Sequence, residues 1–418
     1  MLRYEIAFSG YRIALAFFAL TLASCQKDDG KAPVKERLSG QAAPLAHAAP
    51  KERVAIHSDK PFRRYEKYVG MIGDKFPLTL EMTLGGYPYG LSASGQVRYG
   101  DTGASMGFTG NFFDTDKFEF IGHRANWDSV LFSGSFAGFD AFEGSCTLFR
   151  IDSTYDSIAD AWKKTSTAEN HPFRIAKTAA GTVPVEFEIY TRENDSGSEW
   201  RKRERKIEYS YDTVPSSLQL VMIKVKSSNS HADSLINNAI FKSMLDFYAA
   251  RSDAKFPDSG ASIQTIMDDF DKEWAYFKGE FFDIDFYCDI EANENGILSI
   301  RYTENAYAGG AHGNISHILE SYDVASGNKI RIQDVLRPGF RIPLGGLANI
   351  PWCDGDPENE HPCSIESLLE GGFAITHDGL DFNTSEVGHE KAIHIPYAAL
   401  DSLIEKPGIL SSFLPDLD

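Results

Sequence analysis

Short alternating segments between glycine-rich turns constrain the fold of this chain most strongly. In one such segment apolar and polar side chains alternate, so that four apolar side chains share one face of an extended strand. These apolar positions are Leu78, Leu80, Met82 and Leu84. Turn sequences such as Gly85-Gly86 recur along the following part of the chain at intervals of about 10–15 residues. The pattern predicts a small all-β module, an antiparallel meander, over residues 61–178.

Two amphipathic helices are predicted in the second half of the chain, where apolar residues return with helical spacing. The first helix carries Ile236, Ile240, Met244 and Tyr248, and the second carries Ile263, Ile266, Met267, Phe270, Trp274 and Phe277. Strand-like segments follow at 281–288 and 296–304. We therefore predict an α+β domain over residues 186–418, in which the helices pack on an antiparallel sheet.

Length and charge narrow the class of protein. The chain has 418 residues, enough for about two domains. Its 42% hydrophobic and 24% charged residues are typical of a folded chain and argue against disorder or several membrane spans. With 41 Lys+Arg against 60 Asp+Glu, the formal charge of -19 repels phosphate backbones and attracts cationic partners. We expect no nucleic-acid partner.

The N-terminus has the features of an export signal. Arg3 and Arg12 precede an apolar run over residues 13–22, which is too short to cross about 30 Å of bilayer as a helix. The run ends in Leu22-Ala23-Ser24-Cys25, which resembles the lipobox of bacterial lipoproteins. The resemblance implies a signal peptide over residues 1–24, acylation of Cys25 with fatty acids such as palmitate, and a flexible tether over 25–60. A plain signal peptide that happens to contain a cysteine is the alternative.

The lipobox also predicts where the protein resides. Acyl chains on Cys25 would hold the protein to a membrane. Gln26, which follows Cys25, resembles the residue found at this position in lipoproteins that two-membrane bacteria sort to the outer membrane. We therefore expect a lipid-anchored cell-envelope protein, facing the periplasm or the cell surface if the host has two membranes.

Residues 302–314 contain the most distinctive motif of the sequence, two tyrosines followed by Gly309-Gly310-Ala311-His312-Gly313. With Asp334 and the segments at 373–382 and 393–400, this motif resembles a domain of unknown function. That domain forms the extracellular part of RsiV-type lysozyme-receptor anti-sigma factors and accompanies some peptidoglycan deacetylases. The resemblance covers residues 205–408 and implies ligand binding. Sigma-factor control and deacetylation are disfavoured, because the sequence has neither an anti-sigma segment before a membrane helix nor a Thr-Phe-Asp-Asp-Gly-Pro motif.

The candidate binding residues come from this segment. Its glycines permit positive φ and close backbone approach, so a tight loop can present His312 between two strands. For His312 a structural role in the turn is favoured, and ligand contact and catalysis remain open alternatives. The full candidate set is Tyr302, Tyr307, Gly309, Gly310, His312 and Asn314.

No pattern assigns a catalytic residue, a metal or a cofactor. Four histidines and three acids could in principle build a metal or acid/base site, but their spacing does not match a known metal motif. These residues are His312, His317, His377, His394, Glu304, Asp378 and Asp381. A nucleophile elbow, a phosphate-binding loop and a dinucleotide fingerprint are also missing from the sequence.

The remaining cysteines lie in a chain that we expect to be exported, where disulfides persist. Cys353 and Cys363 bracket a polar insert and form the best candidate disulfide, which would stabilise the fold by about 2–3 kcal/mol. The acids of the insert could bind calcium, although a solvated loop closed by the disulfide is favoured because the calcium-loop order is missing. The pairing of Cys146 and Cys288 stays open.

Together these features favour a binding module over an enzyme. The expected ligand is a cell-wall-associated or cationic protein, and the RsiV-type resemblance implies a lysozyme-like muramidase. A cell-wall glycan is the alternative ligand. An envelope hydrolase that uses His312 with an acidic residue, and a purely structural lipoprotein, are the competing classes.

Overall fold

The computed structural model describes residues 62–414, apart from 87–90, 100–104, 114–115, 124–128, 137–138, 157–160, 195–197, 204–205, 212–215, 253–255, 257–260, 277–282, 308–313, 349–364, 384–391 and 406–407. This part of the chain is mostly β-sheet with a few helices. The first eight strands are β1 (Phe62–Ile72), β2 (Phe76–Gly86), β3 (Leu91–Tyr99), β4 (Ser105–Phe113), β5 (Lys117–His123), β6 (Ser129–Phe136), β7 (Ala141–Asp156) and β8 (Ala161–Thr178).

These eight strands follow one another as a meander does, and the sheet then closes on itself. The antiparallel meander expected from the sequence is thus refined to a closed antiparallel barrel. Closure occurs because β8 also pairs with β1, with Val69 opposite Ala176. Eight strands leave an interior that side chains just fill, and closure removes the exposed strand edges. Aromatic residues occupy this interior, among them the fully buried Tyr68, Phe120 and Phe142.

The second region contains a six-stranded sheet, a two-stranded hairpin and two long helices. Its strands are β9 (Val185–Asn194), β10 (Ser198–Arg203), β11 (Lys206–Tyr211), β12 (Ser216–Val225), β13 (Asp283–Glu294), β14 (Ile297–Tyr307), β15 (Asn314–Asp323) and β16 (Asn328–Ile330). The long helices are α1 (Ser230–Ser252) and α2 (Ile263–Tyr276). The six-stranded sheet has the order β16-β15-β14-β13-β12-β9, and β10 pairs with β11.

One pair of strands in the large sheet differs from the expected antiparallel arrangement. β12 and β13 run parallel, with Leu220 opposite Phe286. The chain between them forms α1 and α2, and a helical crossover of this kind returns the chain to the sheet in the same direction. The sheet is therefore mixed, with its other neighbouring strands antiparallel.

The two helices cover one face of the large sheet, as their apolar spacing predicts. Ile236, Ile240, Met244 and Tyr248 of α1 are buried, as are Ile266 and Phe270 of α2, and all belong to one core with the sheet. The last elements are α3 (Ile332–Val335), α4 (Arg341–Leu347), α5 (Ile365–Glu370), β17 (Phe373–Ile375), β18 (Gly379–Asn383), β19 (Ala392–Pro396), α6 (Tyr397–Leu400) and a 3-10 helix (Ile409–Ser412).

Strands β17, β18 and β19 form a small antiparallel sheet over the opposite face of the large sheet. The Ser299 hydroxyl donates to the Ile375 carbonyl over 2.7 Å, and the Ile375 amide donates to Ser321 Oγ over 2.9 Å. The outer wall of the barrel contacts this same face through β1, β2 and β3. Among the described residues, none of the helices combines the length and the hydrophobicity of a membrane-spanning segment.

Candidate functional site

The central strand β13 has one apolar face and one acidic or polar face. Its sequence alternates acidic or polar residues with apolar ones, and alternate side chains in a strand point to opposite faces. Phe286 and Cys288 are fully buried on the helix side, where the Phe286 ring lies 5.9 Å from that of Phe247 on α1. Asp289 lies on the barrel side and contacts Arg63 of β1. The barrel-facing side of β13 is therefore a line of acids.

A β-bulge near the end of β13 adds Glu294 to this row of acids. The register between β13 and β14 shifts between Ile290 and Ala292, so that Glu294 lies opposite Ile297. Opposite side chains of an antiparallel pair share a face, and without the bulge Glu294 would point toward the helices. The extra residue thus places the Glu294 carboxylate against the barrel.

Glu294 is the centre of a buried ion network between barrel and sheet. Its oxygens lie 2.9 Å from Arg98 Nη1 and 3.3 Å from Lys67 Nζ, and both cations also contact Glu81. His377 Nδ1 lies 3.1 Å from Glu294 Oε1. Burial alone would raise the pKa of Glu294, but the hydrogen bond with His377 and the contact with Arg98 outweigh burial and lower this pKa to about 2. The charges of this network are paired, and the network joins the barrel to the large sheet.

Two more acids on the same side of β13 have cationic partners. The Arg63 guanidinium donates to the Asp289 carboxylate. Arg301 Nη2 lies 2.5 Å from Glu291 Oε1. Burial raises the pKa of Glu291, and the charge of Arg301 opposes that rise. These acids are neutralised within the protein.

The acids at the beginning of β13 form hydrogen bonds with neutral side chains instead of ion pairs, within the described residues. Asp283 accepts hydrogen bonds from the amide and hydroxyl of Ser217, at 3.1 and 2.6 Å, and Asp285 accepts one from Asn305 Nδ2 at 2.9 Å. No ion pair formed within the described residues includes Asp283 or Asp285, and both side chains are partly exposed. Burial raises the pKa of Asp285, as does the neighbouring charge of Asp283. This end of the sheet thus carries negative charge that is not neutralised by described cations.

Polar and apolar groups on β14 and β15 lie beside these acids. Tyr307 is opposite Asp283, and Asn305 is opposite both Asp285 and Ile315. Ile315 is 49% exposed and adds apolar surface beside these acids. We call this surface the open end of the sheet, consisting of Asp283, Asp285, Asn305, Tyr307, Asn314 and Ile315. Residues 308–313, which include the Gly-Gly-Ala-His-Gly motif, connect β14 to β15 at this end.

The structure separates the predicted binding residues. Tyr302 has no exposed surface: its ring stacks on Phe286 and its hydroxyl lies 3.1 Å from that of Tyr322. A side chain buried in the helix-facing core does not contact a ligand, so the prediction is wrong for Tyr302. Tyr307 is partly exposed and Asn314 exposed, both at the open end.

The other predicted site residues lie outside the described residues and stay predictions. They are Cys25, Gly309, Gly310, His312, Cys353 and Cys363. Asp283 and Asp285 were missed by sequence reasoning. The alternation of acids with apolar residues along β13 was the available signal, but it does not tell which acids have cationic partners.

The described histidines do not converge on one site. His317 Nδ1 lies 2.9 Å from Thr303 Oγ1, and His394 Nδ1 lies 2.6 Å from Asp381 Oδ1. His377 belongs to the ion network around Glu294. Within the described ranges, no group of three or more His, Cys, Asp or Glu side chains is arranged to hold a metal ion.

Two cysteines are buried as free thiols in separate cores. Cys146 lies inside the barrel and Cys288 lies between the large sheet and the helices. Burial raises the pKa of the Cys146 thiol to about 12 and also raises that of Cys288. Since the thiolate is the reactive form, both cysteines are unreactive core residues.

Comparisons with known proteins identify similar solved structures only. No family model and no curated protein matches the sequence. A DUF3298 family member from Bacteroides fragilis is 15% identical, covers 56% of this chain and 98% of its own, and has a TM-score of 0.35. A DUF3298 family protein from Pseudomonas aeruginosa is 13% identical, covers 53% and 95%, and has a TM-score of 0.34. The RsiV-type context expected from the sequence motifs stays a prediction.

Proposed function

We propose that this chain is a lipid-anchored envelope protein whose folded part binds a cationic protein ligand at the open end of the sheet. The observation that carries the proposal is the contrast along β13. Asp289 and Glu291 each contact an arginine, whereas Asp283 and Asp285 take part in no ion pair among the described residues. The lipobox at Cys25 supports the anchor, and the RsiV-type resemblance supports a lysozyme-like muramidase as the ligand.

The composition of the open end suits such a ligand. Carboxylates without cationic partners attract lysines and arginines of a basic protein, and the formal charge of -19 accelerates its approach. Ile315 and Tyr307 add apolar area, which slows dissociation once the partner has docked. The carboxylates that attract the ligand and the apolar side chains that contact it therefore lie on one surface.

The test is a binding titration of the purified full chain with a basic lysozyme-type muramidase. We expect saturable binding that weakens as salt rises, because salt screens exposed charges. The double variant Asp283→Asn/Asp285→Asn should weaken binding about fivefold or more, since each lost charge contact contributes up to ~1 kcal/mol. His312→Ala should weaken binding several-fold without changing the melting temperature, if His312 contacts the ligand.

A matched control separates local contact from net charge. Glu119→Gln/Glu143→Gln removes the same formal charge from two exposed acids on the barrel wall, and it should bind like the unmodified chain. An equal loss in the control variant would contradict a site at the open end. Absence of binding would contradict the proposed function itself, and turnover of cell-wall fragments by the chain would favour the hydrolase alternative.

A further inference from the structure

A second candidate site lies next to the open end, in a cleft between the barrel wall and the large sheet. The cleft has a volume of about 250 Å³. Thr83, Gly85 and Ser94 line it from the barrel, and Gln219 and Tyr287 line it from the sheet. Ligand sites occur preferentially at such boundaries between domains.

A glycine keeps this cleft open. On the outer wall of the barrel, Arg63, Gly85 and Ser92 lie side by side in register. The Arg63 side chain extends to Asp289 and lies over the Phe187 ring, so it forms one side of the cleft instead of filling it. A Cβ atom added at Gly85 would have its nearest neighbour 3.8 Å away, so there is room for a side chain that the sequence does not supply.

The lining presents hydrogen-bonding groups that the described protein leaves unused. Thr83 is only 6% exposed, yet no hydrogen bond among the described residues uses its hydroxyl, and the same holds for the hydroxyl of Ser94. The Tyr287 hydroxyl hydrogen-bonds with Gln219 over 2.9 Å and also with Asp285, so the Gln219 amide keeps at least one N–H group for another acceptor. A hydroxyl that faces the cleft and has no protein partner is available to pair with a bound molecule.

We propose that this cleft binds a neutral saccharide. Sugars have hydroxyl groups that pair with hydroxyl and amide side chains, and C–H faces that pack on an aromatic ring such as Tyr287. Of the charged residues beside the cleft, Arg63 pairs with Asp289 and Asp285 is acidic, so the described lining offers no spare cation for a phosphate or a carboxylate. The lining shares no residue with the open end, although Tyr287 hydrogen-bonds with Asp285, and the site does not depend on the proposed protein ligand.

The test is ligand-observed NMR and calorimetry on the purified full chain, with three probes at millimolar concentration. The probes are the disaccharide of N-acetylglucosamine, maltose and the acidic sugar glucuronate. We expect saturable binding of at least one neutral disaccharide and weaker binding of glucuronate. No binding of either disaccharide, or a preference for glucuronate, would overturn the proposal.

The variant Gly85→Leu and a matched control test whether the saccharide binds in the cleft. Gly85→Leu fills the recess and should weaken saccharide binding about tenfold or more, since the ligand then clashes with a side chain. Gly107→Leu adds the same side chain to open space on the barrel wall, where a Cβ meets nothing within 4 Å, and should bind normally. Unchanged binding by a folded Gly85→Leu protein overturns the site.

Thr83→Val keeps the proposal testable if Gly85→Leu does not fold. Valine has the shape of threonine but no hydroxyl, so we expect several-fold weaker saccharide binding with an equal or higher melting temperature. A lower melting temperature with unchanged binding would show that Thr83 is purely structural and would overturn the site. Asp283→Asn changes an acid of the open end that contacts Ser217 and not the cleft lining, so it should leave saccharide binding intact, which separates failure of this site from failure of the open end.

Discussion

The buried ion network around Glu294 predicts a large, pH-dependent loss of stability on substitution. Glu294→Gln would leave Lys67 and Arg98 with Glu81 as their remaining carboxylate. A folded-state pKa lowered from 4.5 to about 2 corresponds to about 3 kcal/mol of stability at neutral pH. Breaking a buried ion pair by removing one partner costs about 3–5 kcal/mol, which agrees with that value.

The assay is denaturant unfolding of both proteins between pH 7 and pH 2. A carboxylate whose pKa is lowered by folding stabilises the native state above its unfolded pKa, and this contribution is lost as pH falls through the folded pKa. The difference between the two proteins should therefore be about 3 kcal/mol at pH 7 and should shrink between about pH 4.5 and pH 2. Glu186→Gln, which breaks an exposed ion pair with Lys226, should cost less than about 1 kcal/mol. If Glu294→Gln destabilises the protein as little as this control, or by an amount independent of pH, Glu294 does not hold the network together.

Three further predictions concern the anchor, the disulfide and His394. Labelled palmitate should be incorporated into the chain and not into Cys25→Ala, and equal labelling of both would contradict the lipobox reading. Mass mapping of the exported protein should find Cys353 bonded to Cys363, and two free thiols would exclude that bond. Burial lowers the pKa of His394, but its hydrogen bond and ion pair with Asp381 prevail and raise it. His394→Asn should therefore destabilise the fold below about pH 6.5 and progressively less above it. Denaturant unfolding at several pH values measures this difference. A loss of unfolding free energy that is the same at every pH would contradict the raised pKa.

Local patterns in the sequence predict most of the elements. The alternation at Leu78, Leu80, Met82 and Leu84 predicts a strand, and all four side chains are buried inside the barrel. Closure of the barrel was not predictable in this way, because β1 pairs with β8 from the far end of the same module. A turn signal reports only neighbouring strands, whereas this pairing depends on the twist and number of strands.

The arrangement of the site is predictable only in part, because it depends on packing between distant residues. The bulge next to Ile290 moves Glu294 to the barrel-facing side, and strict alternation would assign it to the helix-facing side. Tyr302 belongs to the same motif as Tyr307, yet it faces the core because its position in β14 is one that points toward the helices. The cation partners of the β13 acids come from the barrel and from β14, so sequence spacing does not reveal which acids remain unpaired.

Amide hydrogen exchange of the full chain, with and without the basic muramidase, tests most directly whether the open end is the binding surface. Exchange reports protection residue by residue and does not depend on substitutions. We expect slower exchange in the complex at the start of β13, at the end of β14 and at the start of β15, with α1 unchanged. Protection confined to the barrel or to the helices, with no change at Asp283, Tyr307 or Asn314, would contradict the proposed site.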